Sequence, residues 1–166
     1  MKIDIHTHIM PDKMPNWVQK FGYGEFIHLE HRNCKACMMK GDNLFREVED
    51  NCFDAAVRLK EMNETDVTIQ VLSTIPVLFN YWAKATDGYE TSRFFNDHIA
   101  DTVAKDPTRF IGIGTVPLQD IDLAIKEIER CVTELKMPGL EIGSNINGIN
   151  LSDEKFFPFY EAAEKL

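Results

Sequence analysis

The feature that most constrains the fold is an alternation of short apolar runs and amphipathic helical segments along the 166-residue chain. The runs are apolar or β-branched, and Gly or Pro ends them; they cover residues 2–6, 67–72, 109–114 and 139–142. Runs of this kind are typical of parallel strands that crossover helices bury on both faces. The alternation therefore predicts an α/β fold built on a parallel sheet.

Four helical segments follow these runs, at residues 55–64, 91–105, 121–135 and 152–165. Asp54 and Asp120 are placed to cap two of them, and Pro107 lies just beyond the end of the second. The pattern gives four β/α units, which could form a small doubly wound domain. An eightfold barrel typically needs about 250 residues, so the chain has the length of half a barrel.

Residues 10–50 do not fit a crossover helix. This region contains several helix breakers, namely Pro11, Pro15, Gly22, Gly24 and Gly41. A strand-like run at 26–29 lies between them. We expect a small inserted lobe above the carboxyl end of the first strand.

Composition narrows the class of protein. Hydrophobic residues make up 44% of the chain and charged residues 27%, which is ordinary for one globular domain. The formal net charge of −9 disfavours nucleic acid or an anionic membrane as a partner, whereas a small anionic substrate is still possible. The sequence shows neither a membrane span nor a signal peptide, so we expect a soluble cytoplasmic protein with reduced thiols.

The segment Asp4-Ile5-His6-Thr7-His8 carries the clearest chemical signal. Side chains alternate along a strand, so His6 and His8 should share a face, with Cα atoms about 6.5 to 7 Å apart. Two imidazoles at that spacing can bind one metal ion, most plausibly zinc in a site that keeps an open position. No later strand offers an obvious third ligand, and His98 falls in a helix, where a packing or surface role is the simpler interpretation.

A second cluster, His28-x-x-His31-x-x-Cys34-x-x-Cys37, has the ligand inventory of a structural zinc site. Its spacing is more compact than that of zinc fingers, and chance placement in a solvated loop explains it as well. Arg46 is also open to two interpretations. It could pair with the acidic residues that follow it, or its guanidinium could grip a substrate carboxylate.

Several segments together resemble the aminocarboxymuconate-semialdehyde decarboxylase family of the amidohydrolase superfamily. The segments are Met1-Lys2-Ile3-Asp4-Ile5-His6-Thr7-His8-Ile9-Met10-Pro11, Phe21-Gly22-Tyr23-Gly24, Phe45-Arg46, Asn51-Cys52-Phe53-Asp54, Leu72-Ser73-Thr74-Ile75-Pro76-Val77, Tyr81-Trp82-Ala83-Lys84, Arg109-Phe110-Ile111-Gly112 and Pro138-Gly139-Leu140-Glu141-Ile142-Gly143. The His-x-His pair is shared across the superfamily. The Phe-Gly-Tyr-Gly and Ser-Thr-Ile-Pro-Val segments point to the decarboxylase branch.

The resemblance implies the N-terminal half of a metal-dependent hydrolase-type (β/α)8 TIM barrel, with the inserted lobe at about 10–50. It implies a zinc enzyme of tryptophan and kynurenine catabolism that decarboxylates 2-amino-3-carboxymuconate 6-semialdehyde without an oxidant. His6 and His8 would bind zinc, Arg46 would bind a substrate carboxylate, and Phe45 and Thr74 would line the pocket. A homodimer is also implied.

The same resemblance places the other zinc ligands, the acid-base His and a neighbouring subunit's Arg beyond Leu166. We therefore expect no acid-base residue within this chain, and no activity from the chain alone. Two alternatives stay open. One is a different amidohydrolase-type decarboxylase or hydratase of aromatic carboxylates, and the other is a non-catalytic half-barrel that serves as an interaction module.

Overall fold

The computed structural model describes residues 1–32 and 35–166. In chain order the elements are β1 (Ile3–Ile9), α1 (Trp17–Phe21), β2 (Ile27–Arg32), β3 (Lys35–Lys40), β4 (Asn43–Val48), α2 (Ala55–Glu64), β5 (Ile69–Thr74), α3 (Ala85–Lys105), β6 (Phe110–Gly112), α4 (Ile121–Thr133), β7 (Asn145–Ile146), β8 (Ile149–Asn150) and α5 (Phe157–Lys165). Short 3-10 turns precede α2 and α5, at Asp50–Cys52 and Glu154–Phe156.

The main sheet is parallel, with strand order β1, β5, β6. Helices connect these strands, so the predicted α/β class with a parallel sheet is confirmed. The run at 139–142 is shorter than predicted, because it contributes only an isolated parallel bridge between Gly114 and Leu140. Within the described residues no further strand pairs with its other side, and a strand held from one side gains few ladder hydrogen bonds.

The helices cover the outer face of this sheet. Asp54 caps α2, as predicted, by accepting hydrogen bonds from the backbone N–H groups of Ala56 and Val57. Apolar residues of α2, α3 and α4 then pack against the strands, in a cluster that includes Ile9, Met62, Leu72, Ile99, Phe110 and Cys131. No helix in the described parts of the chain is long and apolar enough to cross a membrane.

The inserted segment folds as an antiparallel three-stranded sheet, β2-β3-β4. Buried side chains attach it to the loop after β5 and to α3; they are Met10, Ile27, Met38, Leu78 and Phe95. The pairing of β3 with β4 slips between Met38 and Met39, which leaves Phe45 as an extra residue opposite them. A bulge of this kind bends a strand and changes the direction of its side chains.

A second bulge lies in β1. Asp4 pairs with Gln70 and Thr7 pairs with Leu72, so three steps along β1 match two along β5. Thr7 and Ile9 beyond the bulge are buried, whereas His6 is exposed and His8 is half-buried. The irregularity therefore falls on the segment that carries the His-x-His pair.

Candidate metal centre

His6 and His8 extend from the last part of β1 and lie next to each other. Their ring centroids are 5.0 Å apart, and the rings are nearly perpendicular at 83°. Because β1 runs on to Ile9, both residues lie within the strand, not past its end. The structure thus brings the predicted pair together on β1.

Glu141 is the third member of the cluster. One ligand atom from each of His6, His8 and Glu141 lies within 4.8 Å of the others. Two ligands of a single ion at 2.0 to 2.2 Å can be at most about 4 Å apart, so small side-chain movements would close the group around an ion. The sequence showed no obvious third ligand on a later strand, whereas the structure places the carboxylate of Glu141 beside the pair. The sequence contains a signal for this residue, because Glu141 is a carboxylate within an otherwise apolar predicted strand.

The carboxylate of Glu141 fits a role as a ligand. Its Oε2 is buried and accepts no hydrogen bond from the described residues, although it lies 3.5 Å from Nδ1 of His8. A buried carboxylate oxygen without a donor is costly unless a cation compensates it. A divalent ion between His6, His8 and Glu141 would supply that compensation.

The surroundings of His8 fix its ring and favour its neutral form. Nδ1 of His8 lies 3.0 Å from Oγ of Ser73, and this hydroxyl donates to the carbonyl oxygen of Thr7. Burial lowers the pKa of His8, Glu141 opposes that shift, and His6 adds to it. Neutral imidazole is the form that binds metal ions.

Arg58 of α2 forms hydrogen bonds with the backbone of β1. Its guanidinium donates to the carbonyl oxygen of His8 at 2.6 Å, to that of Asn51 and to Oε1 of Gln70. The side chain is buried, and burial lowers its pKa. Sequence reasoning missed Arg58, because nothing in an amphipathic helix pattern separates a buried Arg from an exposed one.

The three predicted substrate-binding residues differ in their surroundings. Phe45 is half-exposed and lines a cavity of about 440 Å³ between the lobe and the loop after β5. Arg46 is exposed in β4, where it pairs with Met38 of β3. Thr74 is buried at the end of β5, and its hydroxyl has no hydrogen-bond partner in the described structure.

The second predicted cluster does not assemble in the described residues. His28 bonds with Glu30, His31 bonds with Asp12, and the thiol of Cys37 is buried. Cys34 lies outside the described residues. His98 lies in α3 and is partly buried, and this burial lowers its pKa. A packing role of this kind was the simpler interpretation of its helical position.

A parallel β/α sheet with two strand histidines and a carboxylate grouped above it is typical of metal-dependent barrel enzymes. The amidohydrolase family matches residues 3–166 of the sequence. The chain therefore belongs to the amidohydrolase family.

Two curated relatives match nearly the whole chain. A 2-amino-3-carboxymuconate-6-semialdehyde decarboxylase from Dictyostelium discoideum is 50% identical over 100% of this chain and 46% of its own length. One of the same name from Caenorhabditis elegans is 36% identical over 98% of this chain and 46% of its own length. The chain thus spans about half the length of these relatives.

Solved structures agree on the class of fold. The crystal structure of 5-carboxyvanillate decarboxylase from Sphingomonas paucimobilis has a TM-score of 0.66 and 38% identity, covering 69% of this chain and 34% of that one. A dihydroxybenzoic acid decarboxylase from Polaromonas, solved with manganese and an inhibitor, has a TM-score of 0.70 over 99% of this chain and 46% of that one. At 24% identity, the second likeness establishes the fold only.

Proposed function

We propose that this chain forms part of a zinc-dependent, non-oxidative decarboxylase of 2-amino-3-carboxymuconate 6-semialdehyde, an enzyme of tryptophan and kynurenine catabolism. The observation that carries the proposal is the 50% identity, over the whole chain, to a relative of that name. The cluster of His6, His8 and Glu141 supports it, since these residues can hold a divalent ion.

The residues of this chain would hold and orient the substrate. His6 and His8 would bind the ion, with Glu141 as a third donor, and the bound ion would act as a Lewis acid on a substrate oxygen. Arg46 would bind a substrate carboxylate through its guanidinium, with Phe45 and Thr74 at the pocket wall. The carbon–carbon bond to one carboxylate breaks, carbon dioxide leaves, and a proton takes its place.

Metal binding is the first test. The chain should retain zinc after dialysis, and both His6→Ala and His8→Ala should lose it, whereas Glu141→Gln should bind it more weakly. His31→Ala is the matched control, because His31 bonds with Asp12 in the lobe. Retention of zinc by the His6 and His8 variants would contradict the proposed site and would favour a non-catalytic interaction module.

The reaction is tested in a chimera that joins this chain to the remaining C-terminal part of the Dictyostelium relative. It should release carbon dioxide from 2-amino-3-carboxymuconate 6-semialdehyde, and Arg46→Ala should raise KM or lower kcat/KM about tenfold or more. Unchanged kinetics in the Arg46→Ala chimera would show that Arg46 is a surface residue that does not bind substrate.

We also propose that the whole protein is a cytoplasmic homodimer. Sedimentation of the chimera would test its state of assembly.

A second substrate class has its own support. A gamma-resorcylate decarboxylase from Polaromonas is 37% identical over 62% of this chain. The same chimera should therefore be assayed with 2,6-dihydroxybenzoate. Turnover of this aromatic acid in preference to the semialdehyde would favour the alternative. A comparison of zinc and manganese in both assays would identify the metal that supports turnover.

A further inference from the structure

The cavity of about 440 Å³ beside the lobe has aromatic walls that the metal cluster does not use. Its lining comes from the lobe, from the loop after β5 and from the β7–β8 hairpin, and it includes Phe45, Tyr81, Trp82, Asn145 and Asn147. Trp82 is 48% exposed, which is unusual for the largest apolar side chain. An exposed aromatic ring in a cavity is a candidate ligand platform.

The Phe-Gly-Tyr-Gly segment packs against one side of the Trp82 indole. Gly24 has φ +81° and lies directly against the indole, since a Cβ there would come within 2.6 Å of two ring atoms. Phe26 packs against the indole at a centroid distance of 4.7 Å, and Tyr23 approaches it at 6.3 Å. One side of Trp82 is thus supported by protein.

Tyr23 connects this segment to the start of α3 through hydrogen bonds. Its hydroxyl donates to Oδ2 of Asp87 at 2.8 Å and accepts from the backbone N–H of Lys84 at 2.8 Å. The ammonium of Lys84 also lies 4.6 Å from the Tyr23 ring. The residues beneath Trp82 are therefore held in place by hydrogen bonds, and a preorganised surface loses little conformational entropy on binding.

The opposite wall offers a second ring and free polar groups. Phe45 is 50% exposed and stands at the bulge of β4. Asn147 donates from Nδ2 to the carbonyl oxygen of Tyr81, and Oδ1 of Asn145 accepts from the N–H of Gly148. Within the described residues, Oδ1 of Asn147 and Nδ2 of Asn145 make no hydrogen bond, so both can face a polar ligand group.

One lining residue of the cavity, Tyr81, also contacts the chain close to Glu141. The Tyr81 hydroxyl accepts from the backbone N–H of Gly143 at 3.1 Å, and Gly143 follows Glu141 by two residues. Burial raises the pKa of Tyr81 to about 12, and the negative charge of Glu141 adds to the shift. Tyr81 therefore links the wall of the cavity to the segment that carries Glu141.

We propose that this cavity binds the flat, conjugated part of a small carboxylate, with Trp82 as the stacking and specificity-determining residue. Aromatic faces favour a planar ligand over a saturated one of equal size, because offset stacking needs two flat surfaces. The amides of Asn145 and Asn147 supply the polar contacts that orient it. This inference rests on the proposed function for the chemical class of the ligand and adds the surface that recognises its plane.

The two tryptophans of the chain make a direct test possible, because Trp17 is 3% exposed and Trp82 is 48% exposed. Trp17→Phe leaves Trp82 as the only fluorophore of its kind, and Trp82→Phe leaves Trp17. With the metal removed by a chelator, 2,6-dihydroxybenzoate should quench the Trp17→Phe variant with saturation and leave the Trp82→Phe variant unchanged beyond inner-filter absorption. Cyclohexanecarboxylate, which is not planar, should not quench either variant.

Calorimetry measures the same binding without fluorescence. Trp82→Ala should weaken binding of 2,6-dihydroxybenzoate about fivefold to tenfold, as expected from the loss of one stacking contact. Trp17→Phe should leave the affinity unchanged. Unsaturable quenching, equal quenching by cyclohexanecarboxylate, or full affinity in Trp82→Ala would each overturn the proposal.

Failure of this proposal can be told from failure of the proposed function. Saturable binding that depends on Trp82, together with an inactive chimera, would support the cavity and reject the decarboxylase. An active chimera whose kinetics are the same with Trp82→Ala would reject the cavity and leave the decarboxylase in place. In an active chimera we expect Trp82→Ala to raise KM more than it lowers kcat, since stacking binds the ligand in ground and transition state alike.

Discussion

At the scale of single residues, the buried guanidinium of Arg58 connects α2 to the strand β1. It donates to the carbonyl oxygens of His8 and Asn51, so its removal leaves buried acceptors without donors. We expect Arg58→Met to lower the free energy of unfolding by about 2 to 4 kcal/mol, measured by urea denaturation. Lys60→Met on the same helix is the control, because the Lys60 side chain is 78% exposed. Equal losses in the two variants would show that Arg58 does not anchor the strand.

His98 gives the folded state a predictable dependence on pH. Burial lowers its pKa, Lys105 lowers it further, and Asp101 and the Met10 backbone oppose the shift. The unfolded chain binds a proton at His98 near pH 6.5, while the folded chain binds it only at lower pH. Stability from this group is therefore present above about pH 6.5 and is lost as the pH falls below it.

We expect His98→Gln to reduce the loss of unfolding free energy between pH 7 and pH 5. Urea denaturation at each pH measures this, and His31→Gln, at an exposed lobe position, is the control. His8 adds a loss in the same direction, since burial lowers its pKa as well, so the comparison is between variants and not with a flat profile. An unchanged profile in His98→Gln would contradict the assignment.

At the scale of elements, a buried polar group joins α3 to α4. Glu127 is fully buried and accepts from Nδ2 of Asn96 at 2.7 Å and from two guanidinium nitrogens of Arg130. The side-chain amide of Asn96 also donates to the carbonyl oxygen of Thr115 and accepts from its backbone N–H, just beyond β6. The network thus fixes both helices to the carboxyl end of the sheet.

We expect Glu127→Ala to cost about 3 to 5 kcal/mol of unfolding free energy, because it removes the carboxylate that accepts from two nitrogens of the Arg130 guanidinium and from the buried amide of Asn96. Glu129→Ala, at an exposed position on α4, is the control and should change stability by less than about 0.5 kcal/mol. A double-mutant cycle with Arg130→Met isolates the coupling between the two charges. A coupling near zero would mean that Glu127 is held by Asn96 alone.

The boundaries of the helices show which parts of the fold can be predicted from the sequence. The helix at 55–64 was predicted with its true bounds, because Asp54 provides a local cap and the apolar spacing is regular. By contrast, α3 begins at Ala85, six residues before the predicted Thr91, and no side chain caps it. Its start is fixed instead by Tyr23, whose hydroxyl contacts Lys84 from a distant part of the chain. Local patterns do not encode such long-range contacts.

The candidate site also contains residues that the sequence predicts and residues that only the structure reveals. His6 and His8 are separated by one residue, so strand periodicity alone predicted that they would meet. Glu141 joins them from the segment just beyond the Gly114–Leu140 bridge, and its position depends on how the fold brings distant segments together. Trp82 was noted in a family segment but not as a site residue, since only the structure shows Gly24 beneath it.

At the scale of the whole molecule, β1 forms an open edge of the parallel sheet in the described structure. Ile3 is 43% exposed and Ile5 is 75% exposed on this edge strand. A barrel removes such edges by closing on itself, whereas an open apolar edge is a template for pairing with another chain. The exposed isoleucines suit a surface that another part of a barrel covers.

The chain on its own should therefore self-associate as its concentration rises. We expect Ile5→Lys to shift the weight-average mass toward the monomer, because a charge on an edge strand opposes pairing. Sedimentation velocity at two concentrations measures this. Val18→Lys is the control, since Val18 is 37% exposed on α1, away from the sheet edge. A concentration-independent monomer in the unmodified chain would contradict the prediction, as would an equal shift in both variants. Either result would mean that β1 does not act as a pairing edge.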